Sequence, residues 1–82
     1  MSRQEQIAFA LFIMMAIAEG LSSTEEIDDC FRWAIGDDWE ELPISQWRSR
    51  VEKRVGLRFS PDATYEEVVT QIMREYKRRR GD

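Results

Sequence analysis

The densest group of chemically capable side chains lies in one short run, Asp37-Asp38-Trp39-Glu40-Glu41. Paired carboxylates can act as general acid and base or hold a hard cation. This run lacks the alternating oxygen ligands and central glycine of a calcium loop, and the chain contains no histidine. Histidine general bases, Ser-His-Asp and Cys-His nucleophile systems and most zinc sites are therefore excluded. We expect no catalytic residue, no metal and no cofactor.

One cysteine and four isolated glycines are the other candidates for chemistry. Cys30 falls on the apolar stripe of a predicted helix, so we expect a small core residue and not a nucleophile. A single cysteine forms no intramolecular disulfide and suits a reducing cytoplasm. Gly20, Gly36, Gly56 and Gly81 stand at predicted helix ends, so none belongs to a phosphate-binding loop. These residues favour a protein that is not an enzyme.

The tryptophan among the carboxylates has two interpretations. Its indole either anchors the loop over the core, or it is a recognition residue with a charged rim, as in an interface hot spot. Trp33 lies off the apolar stripe of its own predicted helix and is at best a flanking core residue, which adds a second tryptophan to the acidic side. The candidate partner-binding residues are Asp37, Asp38, Trp39, Glu40, Glu41, Glu25, Asp28, Asp29 and Trp33.

Charge is distributed unevenly along the chain, whose formal net charge is −4. Residues 1–41 carry two bases against ten acids, and residues 42–82 carry ten bases against six acids. Acids at the first turn of a helix and bases at its last turn match the helix dipole and explain part of this pattern. The acids at 37–41 instead follow a predicted helix C-terminus, where negative charge is unfavourable. We expect the basic third helix or an external partner to offset them.

Nucleic-acid binding is the strongest competing interpretation, with the third helix as recognition helix and the C-terminal bases on phosphate. The bases concerned are Arg48, Arg50, Lys53, Arg54, Lys77, Arg78, Arg79 and Arg80. Against it, the segment between the second and third helices is too long for a helix-turn-helix, and the acidic half would repel a polyanion. Alternatively, these bases pair with the acidic half, within the molecule or across a dimer.

The elements that must position these residues are four helices, predicted at 2–19, 23–35, 45–55 and 64–79. Ser23 and Thr64 each begin a capping box, and Ser45 is the expected N-cap of the third helix. The second helix has one apolar stripe, which runs from Ile27 to Ile35 and includes Cys30. With 82 residues, 43% of them apolar, we expect a single all-α domain over 1–82: a compact four-helix domain with an apolar N-terminal central helix.

The first helix has no polar face between Ile7 and Ala18. Such a helix is buried all round, or is buried on one side by its own domain and on the other by a partner. The second arrangement is compatible with a homo-oligomer, which is therefore one of the expected states. Twelve apolar residues are too few to span a bilayer, which needs about 20. Arg3 is balanced by Glu5, unlike the basic start of a signal peptide. We expect a cytoplasmic protein without a membrane partner.

The composition as a whole favours a small acidic protein-interaction module, whose partner is another protein with a basic surface. Small inhibitors from phages and mobile elements occupy basic nucleic-acid-binding grooves of host nucleases, and this chain has a suitable size and charge. That analogy rests on size and charge alone. The alternatives are a nucleic-acid-binding protein and a self-assembling structural protein.

Overall fold

The structure is a computed structural model that describes the backbone of residues 3–81 and the side chains of residues 10–81. Within that range it contains four α-helices and no strand, which confirms the predicted all-α four-helix domain. The helices are α1 (Arg3–Ala18), α2 (Thr24–Ala34), α3 (Trp47–Val55) and α4 (Tyr65–Arg80). A 3-10 turn, Ile44–Gln46, precedes α3. The predicted start of the first helix at Ser2 lies outside the described residues.

Two of the three predicted N-caps are confirmed. The Glu26 backbone N–H donates to Ser23 Oγ at 3.1 Å, and the Glu67 backbone N–H donates to Thr64 Oγ1 at 3.2 Å. The third prediction is wrong, because Ser45 lies inside the 3-10 turn and α3 begins two residues later. Pro43 precedes that turn with a φ of −56° and accepts a hydrogen bond from the Gln46 N–H at 2.8 Å. This bond over three residues closes the tighter turn before an α-helical hydrogen bond forms.

The core lies between α4 and the helices α1, α2 and α3. The predicted stripe of α2 is buried, and α4 packs its own apolar stripe against it. The fully buried side chains of largest volume are Phe31, Leu21, Ile35, Ile72, Met73, Val51, Val69 and Cys30. An amphipathic helix, with one apolar face along its length, is stabilised mainly by such packing.

The apolar α1 is enclosed on one side only. Phe12 and Ala16 are buried, whereas Met14 and Ile17 are each 65% exposed and Leu11 is 38% exposed. The expectation that α1 is buried all round within this chain is therefore wrong for the described side chains. The homo-oligomer stays a prediction. The side chains of Ile7 and Phe9 lie outside the described residues. No helix in the described part of the chain is long and apolar enough to cross a membrane.

Candidate functional site

The acidic loop, residues 37–41, turns back along α2. Gly36 follows Ile35, the C-cap of α2, and its φ of +132° suits a residue without a side chain. The Trp39 N–H then donates to the Gly36 carbonyl at 3.1 Å, and the Leu42 N–H donates to the Asp38 carbonyl at 2.9 Å. These turns reverse the chain, and the bond from Trp39 Nε1 to Asp28 Oδ1 places the loop against α2.

The basic α3 holds the loop in place. Arg50 donates from Nη1 and Nη2 to the two carboxylate oxygens of Asp38, at 2.8 and 3.2 Å, and Nη1 also donates to the Ile35 carbonyl at 3.0 Å. These hydrogen bonds hold the pKa of Asp38 below its ordinary value. Arg54 Nε adds a 3.4 Å bond to the carbonyl of Trp33. The third helix thus supplies the positive charge expected beside the C-terminus of α2.

Trp39 is the loop's apolar contact with the core. Its half-buried ring lies 5.3 Å from the ring of Phe31 and 6.2 Å from that of Phe12, between centroids. Its indole Nε1 donates to Asp28 Oδ1 at 3.0 Å. Of the two interpretations of this tryptophan, the loop anchor describes its packing, and the residue is half-buried.

Trp33 does not join Trp39. Its ring lies 5.8 Å from that of Tyr76, and the guanidinium carbon of Arg79 stands 5.5 Å from the indole centroid. Both contacts belong to α4. The structure therefore assigns Trp33 to the packing of α2 on α4, as a flanking core residue, and separates it from the acidic loop.

The outer face of α2 and the acidic loop form one continuous acidic surface. Arg32 joins them, since its guanidinium lies 2.7 Å from Asp28 Oδ2 and 3.5 Å from Asp37 Oδ1. We define the acidic surface as Glu25, Asp28, Asp29, Asp37, Glu40 and Glu41. Within the described part of the chain, four of these carboxylates form no ion pair and no side-chain hydrogen bond, namely Glu25, Asp29, Glu40 and Glu41.

The acidic surface borders a cleft of about 380 Å³ between α1, α2 and the acidic loop. We call it the acidic cleft; its lining residues are Phe12, Ile13, Thr24, Glu25, Ile27, Asp28, Trp39 and Glu40. The apolar members are buried or half-buried and form its floor, whereas Glu25 and Glu40 are exposed and stand at its rim. Sequence reasoning identified the charged members and Trp39. It missed Phe12, Ile13 and Ile27, because apolar spacing alone cannot separate a cleft floor from a core.

Most of the candidate nucleic-acid bases donate to backbone carbonyls elsewhere in the chain. Arg48 donates to the carbonyls of Ser60 and Pro61 at 2.7 and 3.0 Å, and Lys77 Nζ donates to that of Glu19 at 2.7 Å. Each of these contacts ties one helix to a neighbouring segment and neutralises a partial negative charge.

The C-terminal arginines also have partners in the molecule. Arg78 and Arg79 both donate to the carboxylate of Glu75, and Arg79 Nη2 reaches the Val55 carbonyl at 2.9 Å. Arg80 lies 3.8 Å from Glu26 and stacks on Tyr76. Of the eight candidate bases, Lys53 alone makes no hydrogen bond or ion pair with the described residues. The other seven side chains are engaged within the molecule, although four of them, Arg54, Arg78, Arg79 and Arg80, are also exposed.

Cys30 is fully buried on the α2 stripe, as its spacing predicts. Burial raises the pKa of its thiol to about 12, so the thiolate that a nucleophile needs is absent near neutral pH. Among the described side chains, those of residues 10–81, no three acidic or cysteine groups converge in an arrangement suited to a metal ion.

Comparison of the chain with protein-family models, with curated proteins and with solved structures finds no match.

Proposed function

We propose that the chain is a non-enzymatic protein-interaction module that binds a basic surface of another protein through its acidic surface. One observation carries this proposal: four carboxylates on that surface have no partner among the described residues. Most of the arginines, by contrast, are engaged within the molecule. An uncompensated field of one sign attracts a partner of the opposite sign and raises the rate of encounter.

The proposed consequence of binding is inhibition. A small acidic domain that covers a basic groove excludes the nucleic acid for which the groove is built, because both carry the same charge. The exposed loop and the outer face of α2 provide the contact area, while Arg50 of α3 holds the loop through Asp38. One buried, unpaired cysteine is compatible with a reducing cytoplasm, which we propose as the compartment.

Affinity capture from a native-host lysate tests the proposal, using the tagged chain with and without nuclease and reading the recovered proteins by quantitative mass spectrometry. The test variant is Glu40→Gln/Glu41→Gln. Its matched control is Glu52→Gln/Glu66→Gln, which removes the same charge from exposed positions outside the acidic surface. We expect the wild type and the control to recover the same protein after nuclease treatment, and the test variant to lose most of it.

Three results would contradict the proposal. Equal recovery by the test variant and the control would show that the acidic surface is not the binding face. Loss of all proteins on nuclease treatment would favour nucleic-acid binding, and Lys53 would then be the first base to replace. Recovery of the chain alone would favour self-assembly.

A further inference from the structure

The acidic cleft combines an apolar floor with an uncompensated carboxylate rim. Phe12, Ile27 and Trp39 line the floor, and Glu25 and Glu40 stand at the rim without a partner among the described residues. Its volume of about 380 Å³ is at the lower end of the range for small-ligand pockets, roughly 300–1,000 Å³. A single long side chain fits such a space better than a helix or a strand.

From this arrangement we infer that the acidic cleft receives one arginine side chain of the partner protein. The inference rests on the proposed function and names the group that the acidic surface recognises. The methylene stem of an arginine packs on apolar floors, and its guanidinium carries the charge that the rim lacks. A neutral or anionic side chain would leave the two rim carboxylates uncompensated.

Arginine fits this cleft better than lysine for a geometric reason. The guanidinium is planar, donates in a fixed fork that matches carboxylates, and stacks on an indole face. The compact ammonium of lysine is more strongly hydrated and makes no bidentate contact. Trp39 lines the floor of the cleft, and the carboxylates of Glu25 and Glu40 belong to its rim.

The same chain uses this chemistry elsewhere. Arg79 stands 5.5 Å from the centroid of Trp33 while its Nε donates to Glu75 at 2.8 Å, so a guanidinium is shared between an indole and a glutamate. At the cleft itself, Arg32, which also belongs to α2, already binds Asp28 at a distance of 2.7 Å. Asp28 also accepts the bond from Trp39, which leaves Glu25 and Glu40 for the incoming arginine.

Titration with N-acetyl-arginine N-methylamide tests the inference without knowledge of the partner. The reporter is the indole N–H resonance of Trp39 in a ¹H–¹⁵N spectrum, assigned with Trp39→Phe and recorded at constant ionic strength. We expect saturable shifts of that resonance. The corresponding lysine compound should bind more weakly than the arginine compound. The isosteric but neutral citrulline compound should bind at least about tenfold more weakly than the arginine compound, since it lacks the charge-assisted hydrogen bonds.

Two matched variants divide the acidic surface into positions inside and outside the cleft. Glu25→Gln/Glu40→Gln should weaken binding of the arginine compound about tenfold, because both rim carboxylates are lost. Asp29→Asn/Glu41→Gln removes the same charge outside the cleft. It should change the affinity for the arginine compound by less than about threefold, since exposed charges at a distance are screened. All four side chains are exposed, so folding should be retained.

The outcomes separate this inference from the proposed function. Equal affinity for the arginine and citrulline compounds, or equal loss with both variants, overturns the arginine cleft. In the capture experiment, equal losses with both variants would still support the acidic surface as the binding face. Capture unaffected by either variant would contradict the proposed function, while the titration would still report on the cleft.

Discussion

Trp39 joins three parts of the molecule through one side chain. Its ring packs on Phe31 of α2 and Phe12 of α1, and its N–H bonds to Asp28 on the outer face of α2. The position of the acidic loop therefore depends on both an apolar contact and a polar one. The two contributions are separable by substitution, because an aromatic ring without the N–H keeps the apolar contact and loses the polar one.

Trp39→Phe keeps an aromatic ring and removes the indole N–H. We expect it to lower the free energy of unfolding by about 1 kcal/mol, the usual contribution of one partly exposed hydrogen bond. Trp39→Ala also removes the ring packing and should cost roughly 3 kcal/mol. Urea unfolding measures both values. Equal costs for the two substitutions would mean that the ring contributes little beyond its N–H.

Glu75 makes the stability of the fold sensitive to acid. Its carboxylate accepts hydrogen bonds from Arg78 and Arg79, which lower its pKa from 4.5 to about 2. Because the pKa is lower in the folded state, the ionised carboxylate stabilises the fold, and this contribution is lost as the pH falls from 4.5 toward 2. Asp38, held by Arg50, acts in the same direction.

The thermal midpoint measured over that pH range tests the contribution of Glu75. The wild type should lose stability more steeply than Glu75→Gln, which has no carboxylate to protonate. Because Asp38 remains in both proteins, some slope should persist in the variant. Parallel curves for the two proteins would show that the contacts with Arg78 and Arg79 do not stabilise the fold.

At the scale of elements, the two sides of α1 differ in their burial although both are apolar. Phe12→Ala should cost about 3–5 kcal/mol, because it leaves a cavity against Phe31 and Trp39. Ile17→Ala should change stability by less than about 0.5 kcal/mol, because the side chain is 65% exposed. Urea unfolding of both variants tests this. A large cost at Ile17 would mean that this side is covered in solution, and light scattering would then show whether a second copy covers it.

The end of α2 depends on Gly36. A Cβ at this position would lie 3.1 Å from Asp38 Oδ1 and 3.2 Å from Arg50 Nη1, in a backbone with a φ of +132°. Gly36→Ala should therefore destabilise the protein and disturb the pair that holds the acidic loop. Gly56→Ala is the control, because its φ is also positive but no neighbouring atom lies within 4 Å. We expect a lower thermal midpoint for Gly36→Ala than for Gly56→Ala; equal midpoints would show that the loop contacts adapt.

For the whole molecule, the distribution of charge is the property on which the proposed association depends. Folding joins most bases of the second half to carbonyls and carboxylates. It leaves four acids of the first half, Glu25, Asp29, Glu40 and Glu41, exposed and without a partner among the described residues. Asp38 is used internally by Arg50, so a variant designed to probe binding should retain it and replace Glu40 and Glu41 instead.

Association with the captured partner should slow as ionic strength rises, since exposed charges are screened beyond about 10 Å at 0.1 M salt. Glu40→Gln/Glu41→Gln should reduce the association rate more than it raises the dissociation rate, and should flatten the salt dependence. Surface-based or stopped-flow kinetics at several salt concentrations measure this. A salt dependence identical to that of the wild type would count against steering by the acidic loop.

The amino-acid sequence determined the features that depend on neighbours along the chain. The stripe of α2, the buried Cys30 and the caps at Ser23 and Thr64 were predictable because helix periodicity and capping involve residues a few positions apart. Ser45 was misplaced because a bond from Gln46 to Pro43 closes a 3-10 turn at the same place. Two local hydrogen-bonding patterns competed there, and composition does not distinguish between them.

Only the tertiary structure decided which apolar and charged residues meet. Phe12, Ile27 and Trp39 come from three segments, so no spacing in the sequence shows that they share a cleft. Likewise, Arg50 and Lys53 look equivalent along the chain, but one reaches Asp38 and Ile35 while the other points to solvent. Long side chains select partners by distance in space, and helix packing sets that distance. The acidic surface was therefore predictable from the residue types of the first half of the chain, whereas the cleft beside it depends on how α1, α2 and the acidic loop pack.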